Sequence, residues 1–182
     1  MRINFYALRA IYFHEMDRFR RTLIQSLLSP VLSTSLYFIV FGSVIGDYVQ
    51  KIDGISYGSY IVPGLLMLTL LTQSISNTSF GIFFPKFNGT IYEILAAPIS
   101  TVEIVIAYVG AGATKTLIVA AVIFCTSLFF AEVNVKFPLL MIFLLILVAF
   151  TFALFGFLIG LLSKNFEQMS IIPTIVITPM VF

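Results

Sequence analysis

Apolar residues run almost unbroken through five stretches of the chain, and the charged residues fall nearly all between them. The stretches cover about Leu23 to Ile45, Tyr60 to Phe84, Ile104 to Ala131, Pro138 to Leu162, and Ser170 to Phe182. A helix needs about 20 residues to cross a hydrocarbon core of roughly 30 Å. The first four stretches meet that length and the fifth does not. In lipid every backbone N–H and C=O must find its partner within the segment, which makes α-helix the form such runs take. The pattern therefore predicts an all-α membrane protein with four complete transmembrane helices and a truncated fifth. The whole of 1–182 reads as a single transmembrane domain, incomplete at its C-terminus.

Ahead of the first span, residues 2–21 carry a different periodicity. Phe5, Leu8, Tyr12, Met16 and Phe19 recur at spacings of three and four, which aligns them on one stripe of a helix. Arg2, Arg9 and Arg20 flank the stripe and Arg18 lies opposite, where each can meet phosphate headgroups. This predicts an amphipathic interfacial helix; a plain cytoplasmic extension of the first span is the alternative.

Composition sharpens the membrane reading. Of the 182 residues 60% are hydrophobic and 10% charged, and the mean hydropathy is +1.09, whereas a soluble domain carries about 25% charge. A net charge of +2 gives no electrostatic ground for nucleic-acid binding. The one cysteine, Cys125, can form no internal disulfide, and the one histidine, His14, leaves no metal-ligand cluster or nucleophile–base pair. Membrane enzyme chemistry would need convergent His, Asp or Glu in the bilayer, which the spans lack. Arg2, Arg9, Arg18, Arg20, Arg21, Lys86 and Lys164 fall on one side of the predicted topology, and Lys51 and Lys136 on the other. The positive-inside rule places the N-terminus in the cytoplasm.

The stretch from Pro85 to Glu103 has the densest punctuation. Thr90-Ile-Tyr-Glu93 and Ser100-Thr-Val-Glu103 both match a capping box, in which hydroxyl and carboxylate satisfy the free donors of a helix start. Pro98 disfavours helical geometry at Ala97. A short helix, about Ile91 to Ala96, is thus expected between the second and third spans. Asn165-Phe-Glu-Gln168 is a third such box, opening the last segment.

Polar residues inside the spans leave alternatives open. Thr69, Gln73 and Asn77 share one face of the second span, and in lipid they need partners. That face suits glue between helices, a subunit interface or a substrate route. Lys115 is the one charge well inside a predicted span. Counting about 20 residues back from Ala131 at about 1.5 Å each places it only about 5 Å deep. Snorkelling of its stem to the headgroups is expected, with a charge facing a substrate path as the alternative. Gly156 and Gly160 form a Gly-x-x-x-Gly that permits close helix packing. Pro173 and Pro179 are expected to kink or interrupt the fifth segment.

Several runs resemble a known family. Ile61-Val-Pro-Gly-Leu, Lys86-Phe, Tyr92-Glu-Ile-Leu-Ala-Ala-Pro-Ile-Ser, Ala107-Tyr-Val-Gly and Ile172-Pro-Thr-Ile-Val-Ile-Thr-Pro look like ABC-2 type permeases, and among them the YadH-like inner-membrane permeases. The resemblance covers essentially the whole chain. It implies a permease that dimerises, sits in the bacterial inner membrane and binds two copies of a cytosolic ATPase. The chain itself would bind no cofactor; ATP and Mg would be used by that ATPase, and no G-x-x-x-x-G-K-[ST] loop occurs here. In that family the loop after the second span contacts the ATPase. It maps here onto Phe87, Thr90, Tyr92, Glu93, Pro98, Ser100 and Glu103, while Thr69, Gln73, Asn77 and Lys115 are pathway or interface candidates. The expected function is the transmembrane subunit of an exporter, not an enzyme. A non-transporting membrane scaffold is the competing class.

Overall fold

The computed structural model describes residues 4–45, 51–52, 55–131, 133 and 135–181. Helix α1 (Phe5–Arg21) is started by Asn4, whose side chain accepts from the Ala7 N–H at 3.3 Å. Helix α2 (Leu23–Tyr37) passes into a π-helical segment, Phe38–Ile45. Two short antiparallel strands, β1 (Lys51–Ile52) and β2 (Ile55–Ser56), lead into α3 (Tyr57–Asn88), where Ser56 is the N-cap. Then follow α4 (Ile91–Ala96), α5 (Thr101–Ser127), α6 (Pro138–Leu162) and α7 (Phe166–Val181). Among the described residues four helices are long and apolar enough to cross a membrane: Leu23–Phe41, Tyr57–Asn88, Thr101–Ser127 and Pro138–Leu162.

The last helix begins at Phe166, directly after Asn165 of the third box, and the apolar run from Ser170 lies within it; of the kink or interruption expected at Pro173 and Pro179, the interruption does not occur. A proline deletes one donor from a helix, and local adjustment can keep the helix continuous.

Helix α3 is the organising element. It runs antiparallel to α5, with Gly58 near Ala131 at one end and Gly81 near Tyr108 toward the other. It runs parallel to α6, with Ile75 against Gly156 and Ser79 against Gly160. The α6 face toward α3 is made of small residues, Ala149, Ala153, Gly156 and Gly160, all buried. Its opposite face exposes Leu140, Phe143, Leu147, Phe150 and Leu154. Large side chains outward and small ones inward is the arrangement for a helix with lipid on one side and another backbone on the other. The Gly-x-x-x-Gly does what its spacing allows. A Cβ on Gly156 would stand 2.5 Å from the Ile75 carbonyl oxygen, and one on Gly160 2.5 Å from that of Ser79. Ser79 Oγ donates to the Gly156 carbonyl across this seam at 2.8 Å.

Helix α1 packs along α5 in the same direction. Asn4 meets Glu103, Tyr12 Oη donates to Thr114 Oγ1 at 3.0 Å, Glu15 meets Lys115, and Phe19 packs against Val119 and Ile123. The apolar stripe read from the sequence is thus graded along the helix. Phe5 at its start is 66% exposed, and Phe19 near its end is 5% exposed.

Candidate functional site

The turn from α3 to α5 is built from local backbone geometry. Gly89, at φ +80°, ends α3 in the left-handed region that glycine adopts most readily. The Gly89 and Thr90 carbonyls accept the Tyr92 and Glu93 N–H groups at 3.2 and 3.1 Å, which satisfies the first donors of α4. The capping box expected at Thr90 and Glu93 is therefore not formed. Thr90 is itself helical (φ −66°, ψ −14°), its hydroxyl donates back to the Pro85 carbonyl at 3.4 Å, and Glu93 is exposed. The tight turn out of α3 occupies the space that a separate cap would need. Pro98 acts as expected: Ala97 is extended (ψ 151°) and α4 stops there.

The second box is present. Ser100 Oγ accepts from the Val102 N–H at 3.3 Å, and Glu103 Oε2 accepts from the Ser100 N–H at 2.8 Å. Its other oxygen accepts from the Asn4 N–H, so one buried carboxylate serves the N-termini of both α1 and α5. The third box is shifted by one residue: Gln168 Oε1 accepts from Lys164 N–H at 3.0 Å rather than from Asn165.

Helix α4 has two faces. Ile91 and Ile94, with Ile99 beyond, pack on the core, while Tyr92 and Leu95 are 73% and 63% exposed. Phe87, 60% exposed, stacks beside Phe83 and meets Phe166 edge-on at 4.9 Å, tying the loop to α7. Lys86 Nζ donates to the Leu161 and Ser163 carbonyls at 2.5 and 2.8 Å, so it closes the C-terminal end of α6.

The polar residues of the spans gather elsewhere. Thr69 is spent within its own helix, its hydroxyl donating to the Leu65 carbonyl at 2.8 Å. Asn77 Nδ2 donates to Gln73 Oε1 at 3.4 Å and to Thr116 Oγ1 on α5 at 3.5 Å. Lys115 does not snorkel as expected. It is 3% exposed and its ammonium lies 2.7 Å from Glu15 Oε2. The same oxygen holds Arg18 at 2.8 Å, so Arg18 also departs from its expected place opposite the apolar stripe; it lies over the Phe80 ring at 5.4 Å. The reason is the docking of α1 on α5, which delivers a carboxylate to the lysine. Glu15 and Arg18 were not among the candidates read from the chain. The signal for Glu15 was there: it occupies the stripe of Leu8, Tyr12 and Phe19, where a lone carboxylate needs a buried partner.

The family described as ABC-2 type transporter matches residues 6–182.

This chain belongs to the ABC-2 type transporter family.

Among relatives, Inner membrane transport permease YadH of Escherichia coli (strain K12) is 37% identical over 182 residues, which is 100% of this chain and 71% of that protein. Nodulation protein J of Rhizobium leguminosarum bv. viciae is 23% identical over 167 residues, 90% of this chain and 63% of the relative. The same-named protein of Rhizobium meliloti (strain 1021) is 24% identical over 167 residues. No solved structure matches the chain. As an ABC-2 permease it is a multi-pass helical membrane protein of transport type.

Proposed function

We propose that this ABC-2 chain is the membrane-spanning subunit of an exporter driven by a separate cytosolic ATPase, which docks on the loop from Phe87 to Glu103. One observation carries the reading. A six-residue helix is too short to be stable alone, yet α4 is anchored by Ile91 and Ile94 and turns Tyr92 and Leu95 outward. An aromatic and an aliphatic side chain held rigidly at the surface, beside exposed Phe87, suit the centre of a protein contact. Family membership and the inner-membrane permease YadH support a partner that binds ATP and Mg, with this chain contributing no nucleotide site.

In this reading the N-terminus and α4 face the cytoplasm of a bacterium, in line with the positive-inside count, and the permease works as a dimer in the inner membrane. A push on α4 reaches α3 through Gly89, α5 through the Ser100–Glu103 box, α1 through Glu103 and Asn4, and α7 through Phe87 and Phe166. Ser100 and Glu103 transmit, Tyr92, Phe87 and the exposed Glu93 face the ATPase, and Thr90 and Pro98 bound the turn.

The test is co-purification of the permease with the ATPase encoded beside it. Tyr92→Ala with Leu95→Ala is expected to weaken the complex at least tenfold, the usual scale for truncating central contact residues, while the permease melts as before. Unchanged association and unchanged nucleotide-dependent transport would refute docking at α4. Absence of any nucleotide-linked behaviour would favour the scaffold reading instead.

A further inference from the structure

Between α1, α2, α3, α5 and α7 lies a cavity of about 820 Å³, walled in part by Arg18, Lys115, Asn77, Thr22 and Gln25. Two of these are cations that share a single carboxylate: Lys115 and Arg18 both contact Glu15 Oε2. Glu15 is not itself part of the cavity wall. Counting charges, +1 for Lys115, +1 for Arg18 and −1 for Glu15 leave a surplus of +1 in a region flanked by apolar spans. An unbalanced charge there is unfavourable. Glu15 engages one nitrogen of each cation, and a lysine ammonium offers three donors and a guanidinium five. The Gln25 amide adds neutral donors at the cavity wall, whereas the Asn77 amide and the Thr22 hydroxyl already donate within the protein. The remaining wall mixes apolar side chains, among them Phe19, Phe80, Leu68 and Ile177, with six serine and threonine residues.

We infer that this cavity binds a singly charged phosphodiester, with Arg18 and Lys115 on its phosphate. The surplus charge selects the ligand. A phosphodiester monoanion brings the cluster to neutrality, and a doubly charged phosphomonoester overshoots it. Guanidinium and ammonium converging with neutral donors fit a tetrahedral oxyanion better than a flat carboxylate. Phe19, Phe80, Leu68 and Ile177 can lie along the start of an acyl chain while the serines and threonines meet the polar headgroup, which favours an anionic phospholipid as the source. A soluble phosphate compound would use the same charged end. The site is independent of docking at α4, and its test needs no ATPase.

The full chain in neutral detergent is titrated separately with dioleoyl phosphatidylglycerol, dioleoyl phosphatidylcholine and sodium dimethyl phosphate, a soluble phosphodiester, with native mass spectrometry counting bound molecules. Phosphatidylglycerol is expected to bind about tenfold more tightly than phosphatidylcholine, and Arg18→Gln to erase that preference, the effect of losing one charge-assisted contact. Displacement of phosphatidylglycerol by sodium dimethyl phosphate at matched concentration would support the phosphodiester site and assign it to a soluble occupant. Equal binding of both lipids with no dimethyl phosphate bound, or a preference that survives Arg18→Gln, would overturn the proposal. If Arg18→Gln does not fold, Ser76→Phe fills the cavity from the exposed face of α3 without touching the ion cluster. It must then lower phosphatidylglycerol binding by a similar factor, and unchanged binding would overturn the site.

Discussion

Along the seam between α3 and α6, Gly156 and Gly160 let two backbones touch, and the hydrogen bond at this crossing is a neutral serine to a carbonyl. Along the junction between α1 and α5 the contact is made by ions at both ends, Glu103 on the Asn4 N–H and Glu15 on Lys115. The first seam is shape where the glycines lie: it depends there on the absence of side chains, and its one charged contact, Lys86 on the Leu161 and Ser163 carbonyls, sits at the end of α6. The second is charge: its members lie far apart in the chain and each is buried at the other's expense unless paired. A junction of the second kind can be broken by removing one atom group, whereas one of the first kind is broken by adding one.

Subtraction should therefore produce the largest effect. Glu15→Leu removes the one carboxylate and leaves Lys115 buried beside Arg18 with no counter-charge, and loss of one member of a buried pair destabilises by about 3–5 kcal/mol. The melting temperature in detergent should fall steeply, and Glu15→Leu combined with Lys115→Leu should recover most of the loss. Failure of the double variant to recover would show that packing, not charge, holds α1 on α5. Addition is tested by Gly156→Ala, whose methyl would press on the Ile75 backbone and is expected to cost about 1–3 kcal/mol. A neutral result would mean that α3 and α6 slide apart readily, and the contrast between the two seams would lose its basis. The smallest effect compares two hydroxyls with the same motif. Ser100→Ala should cost about 1 kcal/mol, as a cap does, and Thr90→Ala less than about 0.5 kcal/mol, as a surface residue does. Equal losses would restore the cap at Thr90 and change how the loop is held.

The two seams also differ in how far they could be read from the chain. Gly156 and Gly160 announce close approach by their spacing, though not the partner, which is α3. Lys115 announces a problem, a charge within an apolar run, but its solution sits 100 residues away on α1. Counting depth from the span's end led to snorkelling because the count has no knowledge of a neighbouring helix. Arg18 is misplaced for the same reason: helical periodicity fixes which residues share a face and is silent on what the face meets. The turn at Thr90 fails for a more local cause. Two capping boxes look alike in sequence, but the one directly after Gly89 lies inside a turn whose own carbonyls already take the donors.

What the sequence determined by itself is everything set by runs and neighbours: the long apolar helices, the amphipathic α1, the bounds of α4 between Thr90 and Pro98, the Ser100–Glu103 cap and the family resemblance. These depend on burial in lipid and on hydrogen bonds a few residues long, which a linear pattern encodes. The tertiary structure alone decided that Glu15, Arg18 and Lys115 form one cluster beside a cavity, and that Glu103 joins two helix starts. Each of these brings distant segments together, and which segments meet is settled by the packing of whole helices, with α3 between α5 and α6 and α1 laid along α5.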